Sequence, residues 1–369
     1  MPIFMDRHDV SENVTAAHVA QLHQQDLKIQ DQFGCRGLTY WFDEERKMAF
    51  CLIEAPSKKN IIAMHNTAHG EVPNQIIEVN AQVVESFLGR IKDPEQEESG
   101  RIKIIDDSAF RFIMAVGFII GEVGDRYGPL EERGLLTCMQ TLGGIIANFD
   151  GTIASQEKDY FLVSFQSVSQ AVLCALELYA KFETWAEHAP CDRGHLKIGI
   201  SAGVPVEGER PFFEDVIELT RNLFFIASER IVVSHEIKRL YKQESLNTFV
   251  DESLFLVLSP TEEKFLTLLM NYMEEAWQNP NLQVEDLGKN LGYSKSQLYR
   301  NIVRLTGMSP NAFVKNYRLN QAIDKIGKQA GQIAEIAYET GFNSPSYFAK
   351  CFHERYGMSP SEYQHRSIS

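Results

Sequence analysis

Histidines are concentrated at the start of the chain, and their spacing could serve metal binding. Of the ten histidines in this 369-residue sequence, five precede residue 70, and His65 and His69 are four residues apart. On a helix that spacing places both imidazoles on one face, a common arrangement of metal ligands. Further ligands could join them only through the tertiary structure, and the candidates are Asp6, His8, His23 and Cys51. Surface histidines without a metal are the alternative that the spacing leaves open.

A different chemistry is indicated near the C-terminus, where one pattern occurs twice. A short apolar stripe precedes Gly292 and again Gly341, and the run Gly-Met-Ser-Pro occurs at 307–310 and 357–360. The two copies are offset by 49 residues before the turn and by 50 after it. Glycine ends a helix where a left-handed residue is needed, and a following serine can cap the next helix. Two copies of a helix, a turn and a second helix predict a pair of helix-turn-helix modules.

The second helix of each copy carries polar and basic side chains opposite its apolar stripe. Such side chains reach base edges and phosphates, so we predict contact with double-stranded DNA. The candidates in the first copy are Ser294, Lys295, Gln297, Tyr299, Arg300 and Arg304. The candidates in the second copy are Asn343, Ser344, Ser346, Tyr347, Lys350, His353 and Arg355.

Charge distinguishes this prediction from a plain helical bundle with a solvated face. The whole chain has a formal net charge of −14. From Lys289 onward, 11 lysines and arginines stand against 5 acidic residues, a local surplus of positive charge. A basic segment on an acidic chain is typical of a protein that binds a polyanion.

The C-terminal pieces "GYSKSQLYRNI", "RLTGMSP" and "IAEIAYETGFNSPSYFAKCFHERYGMSPSEY" resemble the AraC/XylS family of bacterial transcription regulators. The resemblance covers roughly residues 265–366. It implies two helix-turn-helix modules that flank a linker helix at about 310–326. It also implies that both recognition helices enter successive major grooves, about 34 Å apart, on one face of the DNA. One departure is Asn301-Ile302-Val303, where a more basic, Phe-containing run is usual; it concerns a phosphate contact and not the fold.

The first 80 residues are predicted to fold in the order βαββαβ, which is the ferredoxin-like arrangement. The pieces "FMDRHD", "YWFDEERKMAFCLIEAP" and "MHNTAHGEVP" resemble a family of small nickel-binding proteins with a ferredoxin-like α/β barrel. The resemblance implies a metal site formed by His8, His23, His65 and His69. Imidazole suits nickel, zinc and copper alike, so the ligand type does not choose among these metals.

The middle of the chain is predicted to be a second α/β domain. Its pieces "AVGF", "GGIIANFDG" and "LKIGISAG" resemble the class III nucleotide cyclase domain, in which two carboxylates hold metal ions. The first carboxylate position falls on Met114, which cannot bind a hard cation, and the second falls on Asp159. An arginine that stabilises the transition state falls on Arg221. The resemblance therefore implies a degenerate domain that pairs chains or binds a small ligand, with a core α/β domain without a ligand as the alternative, and we expect no enzymatic activity.

Composition limits the class of protein further. The six cysteines form no CxxC pair, which favours reduced thiols in the cytoplasm. No basic region followed by an apolar run begins the chain, so no signal peptide is predicted. The longest apolar stretch, Phe112 to Ile120, is shorter than the ~20 residues that cross a bilayer, so no membrane contact is expected.

We therefore expect a multidomain α+β protein, in the following order. The predicted units are a ferredoxin-like sensor domain at 1–80, a linker at 81–107, a cyclase-like domain at 108–245, a linker at 246–258, and an all-helical DNA-binding domain at 259–369. The predicted function is that of a cytoplasmic AraC-type transcription regulator, a homodimer controlled by a metal ion or small-molecule effector. The alternatives are a cyclase-related enzyme and a metal-storage protein with a DNA-binding tail.

Overall fold

The chain folds into two β-sheet domains followed by an all-helical region. The structure is a computed structural model that describes residues 1–94, 104–120, 132–157, 160–186, 194–228, 230–244 and 252–366. Within these ranges the expected multidomain α+β fold is confirmed, with both sheets in the first 257 residues. None of the described helices is both long enough and apolar enough to span a membrane.

The N-terminal domain has the predicted βαββαβ order. Its elements are β1 (Ile3–Asp9), α1 (Ala16–Ile29), β2 (Arg36–Asp43), β3 (Met48–Glu54), α2 (Lys58–Ala68) and β4 (Gln75–Val79). The strands form an antiparallel sheet in the order β2-β3-β1-β4, which is the ferredoxin-like topology. Because side chains alternate along a strand, Cys51 and Ile53 face the two helices, whereas Phe50 and Leu52 face the middle domain.

The predicted linker at 81–107 is structured where it is described. Helix α3 (Ala81–Leu88) is capped by Asn80 and buries Phe87 between the two sheet domains. The chain then follows the edge strand β2, where the Asp93 N–H donates to the Leu38 carbonyl at 2.9 Å. This segment therefore contributes to the core as well as joining the domains.

The middle domain is a six-stranded sheet with three helices on one face and a fourth on the other. Its elements are β5 (Arg111–Ile120), α4 (Glu132–Asn148), β6 (Thr152–Gln156), β7 (Tyr160–Phe165), α5 (Val168–Ala186), β8 (Gly194–Gly203), α6 (Glu214–Ile226), β9 (Ile231–Val233), α7 (His235–Glu244) and β10 (Phe255–Val257). The strand order is β10-β9-β8-β5-β7-β6. Helices α4, α5 and α7 cover one face, while α6 and the N-terminal domain cover the other. Part of the predicted linker at 246–258 is thus strand β10, because Leu256 continues the apolar core.

The C-terminal region contains seven helices among the described residues. They are α8 (Pro260–Ala276), α9 (Val284–Leu291), α10 (Lys295–Thr306), α11 (Pro310–Gly327), α12 (Ile333–Glu339), α13 (Pro345–Tyr356) and α14 (Pro360–Arg366). Ser259 and Glu262 form the capping box that begins α8. Gly292, with φ of 73°, ends α9, and the Ser294 hydroxyl caps α10 by accepting from the Gln297 N–H. Helices α9 and α10 are the first module, and α12 and α13 are the second.

The two modules have different cores. The first module shares one hydrophobic cluster with the middle domain, in which Leu223 and Leu256 pack with Leu298 and Phe313. The second module has its own cluster, formed by α11 to α13 and centred on Phe348 and the residues around it. The first module is therefore continuous with the sheet domain, and the second is joined to it through α11.

Candidate nucleic-acid interface and metal centre

Helix α10 presents a polar face to solvent, as predicted. The six candidates of the first module are all exposed, whereas Leu298 and Ile302 on the opposite side are buried. Tyr299 is 52% exposed, and Arg300 beside it has no carboxylate partner among the described residues. An arginine and an aromatic side chain that face solvent together can contact phosphates and base edges.

Other candidates of the first module are partly engaged with protein groups. Ser294 and Gln297 form a capping box, in which the Gln297 Oε1 accepts from the Ser294 N–H at 3.1 Å. Lys295 Nζ lies 2.6 Å from Glu285, and Arg304 Nε lies 3.6 Å from Glu262. Exposed ion pairs of this kind are weak, so both cations can exchange a carboxylate for a phosphate.

Helix α13 repeats this arrangement in the second module. Ser346, Tyr347, Lys350 and His353 are exposed on it, with Tyr347 at 56%. Ser344 is half-buried and is the cap, because its hydroxyl accepts from the Tyr347 N–H at 3.3 Å.

Two candidates of the second module instead contact the protein. The Asn343 side chain is exposed but donates to the Pro280 carbonyl at 3.4 Å. Arg355 is half-buried and donates to Asn320 Oδ1 on α11 at 3.2 Å. The prediction that Arg355 faces outward is therefore wrong, because a polar group on the neighbouring helix draws its guanidinium inward.

The predicted metal candidates meet in a buried polar cluster between β1, α1 and α2. His65 lies at its centre: Nε2 is 3.0 Å from Asp6 Oδ2, and Nδ1 is 3.1 Å from Asp26 Oδ1. His69 Nε2 is 3.2 Å from the same Asp26 oxygen and 3.3 Å from His65 Nδ1. The i, i+4 spacing of the two histidines on α2 thus brings both rings to one carboxylate.

His8 and Cys51 complete the other end of this cluster, which we call the histidine cluster. His8 Nε2 is 3.4 Å from Asp6 Oδ1, and the Cys51 N–H donates to that oxygen at 3.1 Å. The ligand atoms of Asp6, His8 and Cys51 lie within 4.8 Å of one another, as do those of Asp26, His65 and His69. His8 Nε2 is buried without a hydrogen bond to any described residue.

Electrostatics holds the centre of the histidine cluster in a charged form. Burial disfavours the His65 imidazolium, but hydrogen bonds to Asp26 and Asp6 outweigh it and raise the pKa of His65 to about 10. Burial likewise raises the pKa of Asp6 and Asp26, yet the charges of and hydrogen bonds from the histidines leave both pKa values below the ordinary range. Burial and Asp6 raise the pKa of the Cys51 thiol.

One predicted metal ligand lies elsewhere. His23 is buried on α1, but its Nε2 is 3.0 Å from Asp93 Oδ2 in the segment after α3, and its ring packs on Tyr40. No group of potential ligands among the described residues includes His23. Asp26, which was not among the predicted ligands, contacts His65 and His69 instead. Its position as an acidic residue on the buried face of α1, three residues after His23, could have indicated this role.

The donor set fits a transition metal. The potential ligands form two groups, Asp6, His8 and Cys51 at one end and Asp26, His65 and His69 at the other, and the His65 ring lies between them. Imidazole is a good ligand for nickel, copper and zinc. His8 Nε2 forms no hydrogen bond to a described residue although it lies 3.4 Å from Asp6 Oδ1, and two ring nitrogens approach each other at Asp26; both features suit a bound cation.

The predicted nucleotide cleft is only partly described. Met114 is fully buried in the core on the helix-covered face of the sheet, so its side chain lies in apolar surroundings. Asp159 lies outside the described residues. Arg221 donates through Nε to the Tyr160 hydroxyl at 3.1 Å, and its Nη2 lies 3.6 Å from Glu157.

Residues 287–366, which contain both modules, match the family described as "Helix-turn-helix domain". Residues 4–79 match the family "Nickel responsive protein SCO4226-like".

Two curated relatives are similar to the C-terminal part. "Probable transcriptional regulator LumQ" of Photobacterium leiognathi is 30% identical over 121 residues, which are 32% of this chain and 48% of that protein. "Histidine kinase P4" of Formosa agariphila is 32% identical over 111 residues, 30% of this chain and 8% of that protein. The chain thus spans about half or less of the length of these relatives.

Two solved structures are similar to the other parts. The crystal structure of SCO4226 from Streptomyces coelicolor is 30% identical, with a TM-score of 0.20, and covers 21% of this chain and 94% of that one. A bacterial light-regulated adenylyl cyclase is 10% identical, with a TM-score of 0.31, and covers 65% of this chain and 86% of that one.

Proposed function

We propose that this chain is a cytoplasmic transcription regulator of the AraC type, which binds double-stranded DNA and responds to a metal ion. The observation that carries the proposal is the pair of equivalent outward faces on α10 and α13, each with exposed polar and basic side chains above an apolar core. The local surplus of positive charge on an acidic chain supports the same conclusion.

The DNA contacts divide into two kinds. Arg300 and Lys350 occupy equivalent positions in the two modules and are the proposed phosphate contacts. Tyr299 and Tyr347 sit beside them and offer ring faces and hydroxyls to the DNA. Phosphate contacts set the position of the protein, and contacts to base edges select the sequence.

The histidine cluster is the proposed sensor. His8, His65 and His69, with Asp6 and Asp26, would hold nickel, zinc or copper, and a bound cation would replace the protons that the imidazoles share with the carboxylates. Metal binding can change the affinity for DNA only if the protein has two arrangements that bind DNA differently and also differ in their affinity for the metal. The N-terminal domain packs on the middle sheet, and that sheet shares a core with the first module, so a continuous packed route exists.

One face of the middle sheet is covered within the chain, so the proposed homodimer has to form through another surface. Ile113, Ala115 and Leu162 on that face pack against the N-terminal domain within the same chain. We therefore place the contact between two chains elsewhere, and we propose no enzymatic activity for the middle domain.

The experiment is to measure the DNA affinity of the full chain with and without nickel, zinc or copper. We expect one of these metals to change the affinity of the wild type, and we expect His69→Gln to remove that change. His18→Gln is the matched control, since His18 lies on α1 outside the cluster and glutamine keeps its capping box with Thr15.

Two results would point to the alternative functions. Tight metal uptake by the wild type with no change in DNA affinity would favour metal storage. A cyclic nucleotide formed from ATP or GTP with magnesium or manganese would overturn the interpretation of Met114.

A further inference from the structure

The end of helix α8 is held by an arginine from the helix that joins the two modules. Arg318 on α11 donates through Nε to the Trp277 carbonyl at 2.9 Å and through Nη2 to the Asn279 carbonyl at 2.6 Å. Carbonyls at a helix C-terminus have no partner within their helix, and a cation there is favoured by the helix dipole. Arg318 therefore caps α8 from a distance of more than 40 positions along the chain.

Arg318 has no other task in the described part of the protein. It is half-buried, no carboxylate of a described residue pairs with it, and burial lowers the pKa of its guanidinium. Arg318 lies in the basic C-terminal region, but its guanidinium donates its hydrogen bonds to two backbone carbonyls. Such a residue positions other groups and does not contact phosphates itself.

The turn of the second module meets the same place. A Cβ atom at Gly341 would lie 2.7 Å from the Trp277 carbonyl oxygen and 2.8 Å from Arg318 Nε, and Gly341 has φ of 78°. Both the close approach and the left-handed backbone require glycine there. Asn343 adds a hydrogen bond to the Pro280 carbonyl at 3.4 Å.

This contact joins two parts that have separate hydrophobic clusters. Helix α8 belongs to the core that the first module shares with the middle domain, whereas Gly341 belongs to the turn that precedes the second recognition helix. The contact is thus a second link, besides α11, between α8 and the second module. We define the junction by Arg318, Gly341 and Asn343 against the carbonyls of residues 277–280.

We propose that Arg318 sets the angle between the two recognition helices and thereby determines which spacing of two DNA boxes the protein accepts. The inference rests on the proposed DNA binding and assigns its spacing specificity to one positioning residue. Successive base pairs turn the duplex by about 35°, so a small change of angle between the helices alters which spacing fits.

The test uses the full chain and a duplex that the wild type enriches from a random pool. Affinity is then measured on that duplex and on copies with one or two base pairs inserted between the boxes. We expect an inserted base pair to weaken wild-type binding roughly tenfold, as a lost base contact does. The ratio of the affinity for the selected duplex to the affinity for the duplex with an inserted base pair is then compared between proteins. For Arg318→Met we expect this ratio to fall to about threefold or less, because the second module is no longer held at one angle.

The control is Lys328→Met, which removes an exposed cation at the C-cap of α11 whose partner among the described residues is Asp324, at 2.7 Å. It should keep the wild-type ratio. If Arg318→Met does not fold, Arg318→Lys, which keeps the charge but loses the forked geometry, is tested in its place. A ratio unchanged from the wild type in a folded Arg318 variant overturns the inference. Failure of the wild type to enrich any sequence would instead contradict the proposed function.

Discussion

The two helix-turn-helix modules have nearly the same local structure but different surroundings. In both, a serine caps the second helix and a polar face points to solvent; Gly292 is the C-cap of the first helix in the first module, whereas in the second the C-cap is Thr340 and Gly341 follows it. The first module shares its core with the sheet of the middle domain, and Phe225 of α6 packs its ring 5.9 Å from Phe313 and 5.5 Å from Tyr317. The second module has a core of its own.

This difference separates recognition from response. Recognition needs only the repeated pattern, which both modules have. A response to the N-terminal domain can reach the first module through packed side chains, whereas among the described residues the second is linked through α11 and the junction at Arg318. We therefore expect the first module to be the fixed part of the proposed DNA-binding surface and the second to be the part whose angle changes.

The strongest effect is expected from equivalent core substitutions. Ile302 and Phe352 are fully buried at matching positions of the two modules. Replacing either by alanine should cost about 2–5 kcal/mol of unfolding free energy through lost burial and a cavity. For Ile302→Ala, hydrogen exchange should speed up in α6 and α8 as well as in the first module; for Phe352→Ala, faster exchange should be confined to residues 319–363. If faster hydrogen exchange extended over the same helices in both variants, the two modules would not have distinct cores.

Next in size is the loss of paired DNA contacts. Arg300→Ala and Lys350→Ala should each weaken DNA binding by about tenfold and reduce the salt slope of log affinity by about one. Similar losses are expected because both side chains occupy the same place in their modules. Titrations at several salt concentrations measure both quantities. An affinity that neither substitution changes would remove these residues from the interface.

A smaller effect should distinguish the attachment of the first module. Phe225→Ala removes two aromatic contacts with the first half of α11 and should lower the free energy of local opening of that half and of the first module by about 1.2 kcal/mol. Amide exchange of α12 and α13 should stay as in the wild type. If the second module opened as much as the first, the two would form one cooperative unit.

The smallest expected effect is the same in both modules. Ser294→Ala and Ser344→Ala each remove a side-chain cap and should cost about 1 kcal/mol of stability. Chemical denaturation of the two variants measures this cost. A loss in only one of them would contradict the prediction that the two side-chain caps contribute equally, although only Ser294 is part of a capping box.

Local signals made much of the C-terminal region predictable. Gly292 and Gly307 both have positive φ, and the serine that follows Gly292 is a cap, so the repeat predicted the turns directly. In the second module Asn343 and Ser344 are both residue types that cap helices, and the hydrogen bond from the Tyr347 N–H shows that Ser344 is the cap.

What the sequence could not show is which residues meet across elements. Arg355 lies on the polar side of its helix by periodicity, yet Asn320 on α11 binds it. His23 shares a helix with Asp26, but only Asp26 reaches His65, since Asp93 from a distant segment takes His23. Such pairings depend on tertiary packing, to which helical spacing is blind.

Hydroxyl-radical footprinting of the full chain on its selected duplex shows whether both recognition helices bind one face of the DNA. If α10 and α13 both enter the major groove from one side, two protected patches should appear about one helical turn, or 10 base pairs, apart on one face of the DNA. A single protected patch, or two patches on opposite faces, would show that α10 and α13 do not bind one face of the DNA together.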